Sequence, residues 1–396
     1  VTSRIFLNAA RILYYPYYRV NQNEPDLFHR VCMMPALSQQ ADRSLLRRYL
    51  LAGYVLMIVY ASLSPFAGWQ AAEQTFVGVL ASPLGQAYTA FDAAANWLAY
   101  LPLGMLLTLN LSTRLRPLHS VLLATLAAVM LSMAMEYLQM YLPARAAASV
   151  DVLTNGVGAL CGSALAVLIA PQQWFARATQ WRIELFQRGE GVDFGLALVM
   201  LWMFAQINPS LPMLGNVFLT EEAGRIAAFS PPQFSLWASA AVACNLLLIG
   251  LLLQTLFRIR RHVVAAVLLM LSVVALGKFI TAAVLLRSWA LMLWLNGEAV
   301  LGLLAGLALT GASFWLRRPV LLWAALVTSA AYLALAAGVL DSAAPTAAMR
   351  LYHWHYGHLR NFNGMSQIAS AVFPLLLVIY LAWARRRIMN VEEIDK

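Results

Sequence analysis

Runs of about 18 or more residues with almost no charge recur along this chain, and no other feature restricts its fold so strongly. Lipid offers no partner to a free backbone N–H or C=O, so runs of this length cross a bilayer as helices. The expected fold class is therefore all-α, a polytopic integral membrane protein of about ten transmembrane helices. Spans are expected at about 50–66, 94–111, 119–143, 152–170, 193–208, 233–257, 262–286, 289–316, 320–340 and 366–384. Arginine clusters at Arg114/Arg116, Arg258/Arg260/Arg261, Arg317/Arg318 and Arg385–Arg387 fall on one side of this zigzag. By the positive-inside rule that side is cytoplasmic, with both termini inside. The same distribution explains the net charge of +10 without nucleic acid, because the basic residues sit between apolar runs.

The chain divides into five segments. Residues 1–48 form a basic cytoplasmic leader with a short interfacial helix as one option and an unstructured arm as the other. Residues 49–170 form a four-span unit, 171–192 a cytoplasmic linker, 193–386 a six-span region with an outer loop at 341–365, and 387–396 a tail. Cys32, Cys161 and Cys244 have no close spacing, so neither a disulfide framework nor a zinc site is expected.

Within the four-span unit, the stretch from Phe91 to Gly162 departs from the apolar pattern. Asp92 and Asn96 are one helical turn apart in the second span, as are Glu136 and Gln139 in the third and Asp151 and Asn155 in the fourth. The alternating topology brings the three pairs to one outward-facing cavity, with Arg145 in the loop above. A carboxyl in an apolar pocket can carry a proton, which gives Glu136 a catalytic or proton-carrying role. Arg145 can hold an anion, and Asp92, Asn96, Gln139, Asp151 and Asn155 can line a substrate site. The structural alternative is that these groups bond to one another and fix helix packing, with Asp92 and Asp151 as helix N-caps. For Gly156, Gly158 and Gly162 the packing reading is preferred.

The order Ser64-Pro65-Phe66, Asn96 with Pro102-Leu103-Gly104, Glu136 with Gln139, Pro143 with Arg145, and Asp151 with Asn155-Gly156 resembles the VanZ family across about residues 49–170. The resemblance implies a bacterial inner-membrane protein of the cell envelope, connected in some members with lowered sensitivity to glycopeptides such as teicoplanin. It marks Asn96, Glu136, Gln139, Arg145, Asp151 and Asn155 as the family's polar site. It supplies no reaction, and the six further spans depart from the short family pattern.

Those further spans carry Lys278 and Glu298, which the antiparallel arrangement places at one depth, so an intramembrane ion pair is expected. Asn296 and Asn245 are expected nearby. On that reading Glu298→Gln lowers expression and Lys278→Met restores it. The last outer loop holds Arg350, His353, His355, His358 and Arg360, read as an interfacial belt or as a secondary site for phosphate or sugar headgroups. No metal, nucleotide or other cofactor is expected. Membrane lipids are the expected partners, together with a lipid-linked envelope precursor. Three functions stay open: an envelope protein that binds or modifies such a precursor, a proton-coupled transporter or flippase, and a scaffold for envelope or exopolysaccharide machinery.

Overall fold

Among the described residues, ten apolar helices overlap the ten expected spans, but they are not equal in length. The computed structural model describes residues 45–394 apart from 73, 82–88, 144, 146, 170–172, 188–189, 221–223, 225–233, 338–343 and 355–356. Almost all of the basic leader thus lies outside the described residues. Helix α1 spans Leu46–Leu63, α2 Ala90–Leu111, α3 Pro117–Gln139 and α4 Ser149–Ile169. An unforeseen polar helix, α5 (Gln173–Leu185), leads into α6 (Glu190–Gln206). Helices α7 (Leu236–Leu256), α8 (Arg261–Leu285), α9 (Gly297–Ser313), α10 (Arg318–Ala337) and α11 (Gly357–Ile394) follow. Among the described residues there is no strand.

Eight helices among the described residues are long and apolar enough to cross a membrane. The other two, α6 and α9, have 17 residues each, or about 25 Å, short of the roughly 30 Å hydrocarbon core. The expected span 289–316 is shortened because α9 starts only at Gly297, where Asn296 is its N-cap and accepts from the Ala299 N–H at 3.0 Å. The preceding residues are held as a loop. Arg287 donates from its backbone N–H to Leu351 at 2.9 Å, and Trp294 accepts from the Met213 N–H at 2.6 Å.

The two halves pack by different means. In the first, α2 and α4 meet backbone to backbone, since a Cβ on Gly158 would come within 2.2 Å of the Trp97 carbonyl oxygen and one on Gly162 within 1.9 Å of Leu101's. Gly104 faces Ala159 as closely. Small residues are favoured here because hydrocarbon supplies no hydrophobic drive between helices, leaving close van der Waals contact to hold them. In the second half α7 is enclosed by α6, α9, α10 and others, with Leu246, Leu248, Leu251 and Leu252 fully buried. Leu56, Leu126, Leu153, Leu269 and Val327 remain exposed on outer faces, as residues that meet lipid chains do.

Candidate polar site of helices α2, α3 and α4

The turn of a helix puts residues four apart on one face, and three such pairs meet. Asn96 and Tyr100 come from α2, Ser132 and Glu136 from α3, Asp151 and Asn155 from α4. On one level the Asn96 amide donates to Asp151 Oδ1 at 2.6 Å. On the next, one turn away, the Asn155 amide donates to Ser132 Oγ at 2.9 Å, and the Tyr100 hydroxyl lies beside Ser132. Glu136 is 3% exposed, and its Oε2 accepts from the Ala148 N–H at 2.9 Å, just before α4 begins. The Asp151 carboxylate acts electrostatically on both Glu136 and Tyr100. Asn155 Oδ1 is buried and has no hydrogen-bond donor among the described residues.

The remaining expected residues lie at the edge of this cluster. Gln139 donates from its amide to the Ser62 carbonyl at 3.0 Å. Arg145 reaches back to the end of α1: Nε and Nη2 donate to the Ser64 carbonyl at 3.1 and 2.7 Å, and Nη2 also to the Ala61 carbonyl at 2.9 Å. A guanidinium suits that place, because the last carbonyls of a helix lack intrahelical partners and carry partial negative charge. Burial lowers the pKa of Arg145 from its ordinary value, and the neighbouring charge of Arg360 lowers it further. Asp92 is not an N-cap: it sits at the third helical position in a capping box, its carboxylate accepting from Thr89, which is the cap.

The expected Lys278–Glu298 ion pair is not formed. Lys278 is fully buried, and its ammonium donates to the carbonyls of Asn208 and Leu211 at 2.5 and 2.9 Å. Glu298 instead accepts from the Ser235 N–H at 3.2 Å. Each charge is met by backbone groups that a span-by-span reading cannot see. Asn296 serves α9 as its cap, while Asn245 donates to the Leu214 carbonyl at 2.8 Å and accepts from the Trp202 indole at 2.7 Å. Around Lys278 lies a buried polar knot. The Asn363 carbonyl oxygen accepts from the Tyr352 hydroxyl at 2.6 Å and the Asn208 amide at 3.0 Å, and the Ser210 hydroxyl donates to Asn208 Oδ1 at 2.7 Å.

The outer-loop residues are divided. Arg350 is exposed, and so is His353, whose ring lies 5.9 Å from that of Trp354. His355 is outside the described residues. His358 meets the Asp92 carboxylate at 3.3 Å, and Arg360 stands beside Arg145, so these two belong with the first half. Among the described residues no three of His, Cys, Asp and Glu gather as a metal-binding group. Tyr100 and Ser132 are not singled out by sequence, although each lies four residues from one that is.

Residues 32–170 match the model of the VanZ/LLP1 family, which includes every residue of the polar cluster. Comparisons with curated proteins and with solved structures give no match. Residues 32–170 thus form a VanZ/LLP1 domain of a multi-pass helical membrane protein, with a further helical region beyond it.

Proposed function

We propose that the VanZ/LLP1 domain binds the polar head of a lipid-linked or peptidoglycan-type envelope molecule at the α2–α3–α4 cluster, with Glu136 as its proton carrier. The setting is the bacterial inner membrane, and glycopeptide tolerance is one phenotype such binding would produce. One observation carries this reading: Asn155 Oδ1, which meets no donor among the described residues, stands in the same cluster as the buried Glu136. An unmet buried acceptor costs about 1–3 kcal/mol, and a cluster built only to fasten helices would not retain one. A ligand hydroxyl or amine would satisfy it. The test is the lipid retained when the protein is taken from its membrane into nanodiscs. Mass spectrometry should find a polyprenyl-linked glycan or peptide with the unaltered chain and lose it with Glu136→Gln. Bulk phospholipid alone in both samples would sink the reading.

A proton-coupled transporter or flippase is the second reading, favoured by the chain after α6. Asn208–Gly215 is buried and non-helical, and meets Lys278 about 10 Å inside the end of α8. Irregular backbone at membrane depth occurs inside protein or beside a cavity, and transporters use it at ion sites. Proteoliposomes loaded with a pH dye decide this: no proton movement under any imposed gradient removes it.

A further inference from the structure

Two guanidinium groups come together where the loop after α3 meets the start of α11. Three donor contacts to α1 carbonyls fix the Arg145 side chain, and these use Nε and Nη2. Nη1, with two further N–H groups, meets no acceptor among the described residues. The Ala61 carbonyl that accepts from Arg145 also accepts from the Asn361 amide at 3.0 Å, so α11 is fastened at the same point. The next residue back, Arg360, is half-buried and close enough for the two like charges to act on each other, and its side chain makes no hydrogen bond among the described residues. Neither arginine meets a carboxylate among the described residues. Asp92 of α2, which meets His358 of the first turn of α11, is also engaged by Thr89.

We propose that Arg145 and Arg360 together form a phosphate-binding site, built jointly by the VanZ/LLP1 domain and the C-terminal helix. Like charges side by side without an acid repel each other, and an anion between them turns that repulsion into attraction. Planar guanidinium forks match phosphate oxygens in geometry as well as charge. The first turn of α11 adds the positive end of a long helix. Exposed aromatic residues nearby, Phe66, Trp69 and Trp354, mark the level at which headgroups lie. Chain connectivity limits the distance from this pair to the polar cluster, because Arg145 is three residues from Ala148, whose N–H binds Glu136. That is roughly 10 Å at full extension. The inference deepens the preceding reading by giving its ligand a phosphate, and rests on it only for the lipid tail.

The test uses the full chain in phosphatidylcholine nanodiscs, with farnesyl monophosphate and inorganic phosphate as separate probes and tryptophan fluorescence as readout. Farnesyl monophosphate should bind, and Arg360→Gln should weaken it about tenfold or more, with Arg360→Lys restoring part of the loss. The Arg360 side chain bonds to no described residue, so an unchanged unfolding temperature is the control that the variant is folded. Binding of the farnesyl compound alone supports a lipid headgroup as the ligand, and binding of both probes a phosphate site indifferent to its source. Equal binding by Arg360→Gln and the unaltered chain, or no binding of either probe, overturns the proposal. The proposed function fails on a different variant and probe, when Glu136→Gln retains the native lipid, so the two failures are told apart.

Discussion

Glu136 holds two roles that mutation can separate. Its Oε2 accepts the Ala148 N–H and so fixes the entry to α4, while the charge and proton of the carboxyl belong to the polar cluster. Glu136→Gln keeps an acceptor for that N–H, and should leave the unfolding temperature nearly unchanged while losing the retained lipid. Glu136→Ala strands the N–H, and should cost about 1–3 kcal/mol, read as a drop in unfolding temperature. Equal destabilisation by the two would mean that charge, not the backbone bond, holds the loop. Lys278 makes the opposite case, with two carbonyl partners and no ligand to explain it. Lys278→Met should destabilise strongly, and Glu298→Gln should neither rescue nor worsen it, the double variant adding within about 0.5 kcal/mol. Rescue in that cycle would restore the ion pair. Such residues differ in how far sequence exposes them. Asn96, Glu136, Asp151 and Asn155 stand out because amides and carboxylates are costly in an apolar helix. Tyr100 and Ser132 do not, since spans commonly carry both, and only their spacing of four from Asn96 and Glu136 marks them. The partners of Arg145, Lys278 and Glu298 are backbone groups, which leave no trace in residue type.

Among the helices, close approach of α2 and α4 is what positions the cluster, so glycines rank by what a methyl group would strike. Gly162→Ala would bring Cβ against the Leu101 carbonyl, and Gly158→Ala against the Trp97 carbonyl one turn before Leu101, neither of which can rotate aside. Gly156→Ala meets only the flexible Val129 side chain at 3.1 Å, and Gly53→Ala and Gly311→Ala meet nothing within 4 Å. The expected order of thermal stability in detergent is Gly53 and Gly311 variants near the unaltered chain, Gly156→Ala slightly lower, and Gly158→Ala and Gly162→Ala lowest. The last two should lose more than the roughly 1–3 kcal/mol typical of overpacking, because backbone must move. A flat series would mean that α2 and α4 are not held at this spacing. Helix positions are legible because the apolar runs are long, whereas helix ends are not. The expected start at 289 runs through a single 3-10 turn at Ser288–Ala290 and then Leu291, Met292 and Leu293, which are apolar without being helical, and the true start of α9 is marked only by the Asn296 cap. Helix α5 escapes notice because its polar composition reads as linker.

At the scale of the whole chain, the VanZ/LLP1 domain is not sealed off from the C-terminal helices. Helix α1 packs against α6 and α11 as well as α2, the N–H of Leu45 donates to Asp193 at 2.8 Å, and Asp193 in turn pairs with Arg182 of α5. At the other end of α1, Asn361 and Arg145 share the Ala61 carbonyl, and Gly364 lies against the Tyr60 hydroxyl, where an added Cβ would come within 2.4 Å. Family resemblance ends near residue 170 and gives no sign of these joints, since each depends on a backbone carbonyl or a missing side chain. If the C-terminal region is an integral wall of the domain, a chain divided between α4 and α5 should reassemble when both pieces are made together, and the pieces should purify as one complex. Gly364→Leu should then reduce co-purification sharply, because a leucine there must displace the Tyr60 side chain of α1, while Leu375→Ala on the exposed face of α11 should not. Equal recovery with Gly364→Leu would show that α11 is not needed against α1. In that event Arg360 would have no fixed place beside Arg145, and a phosphate would be left with one guanidinium instead of two.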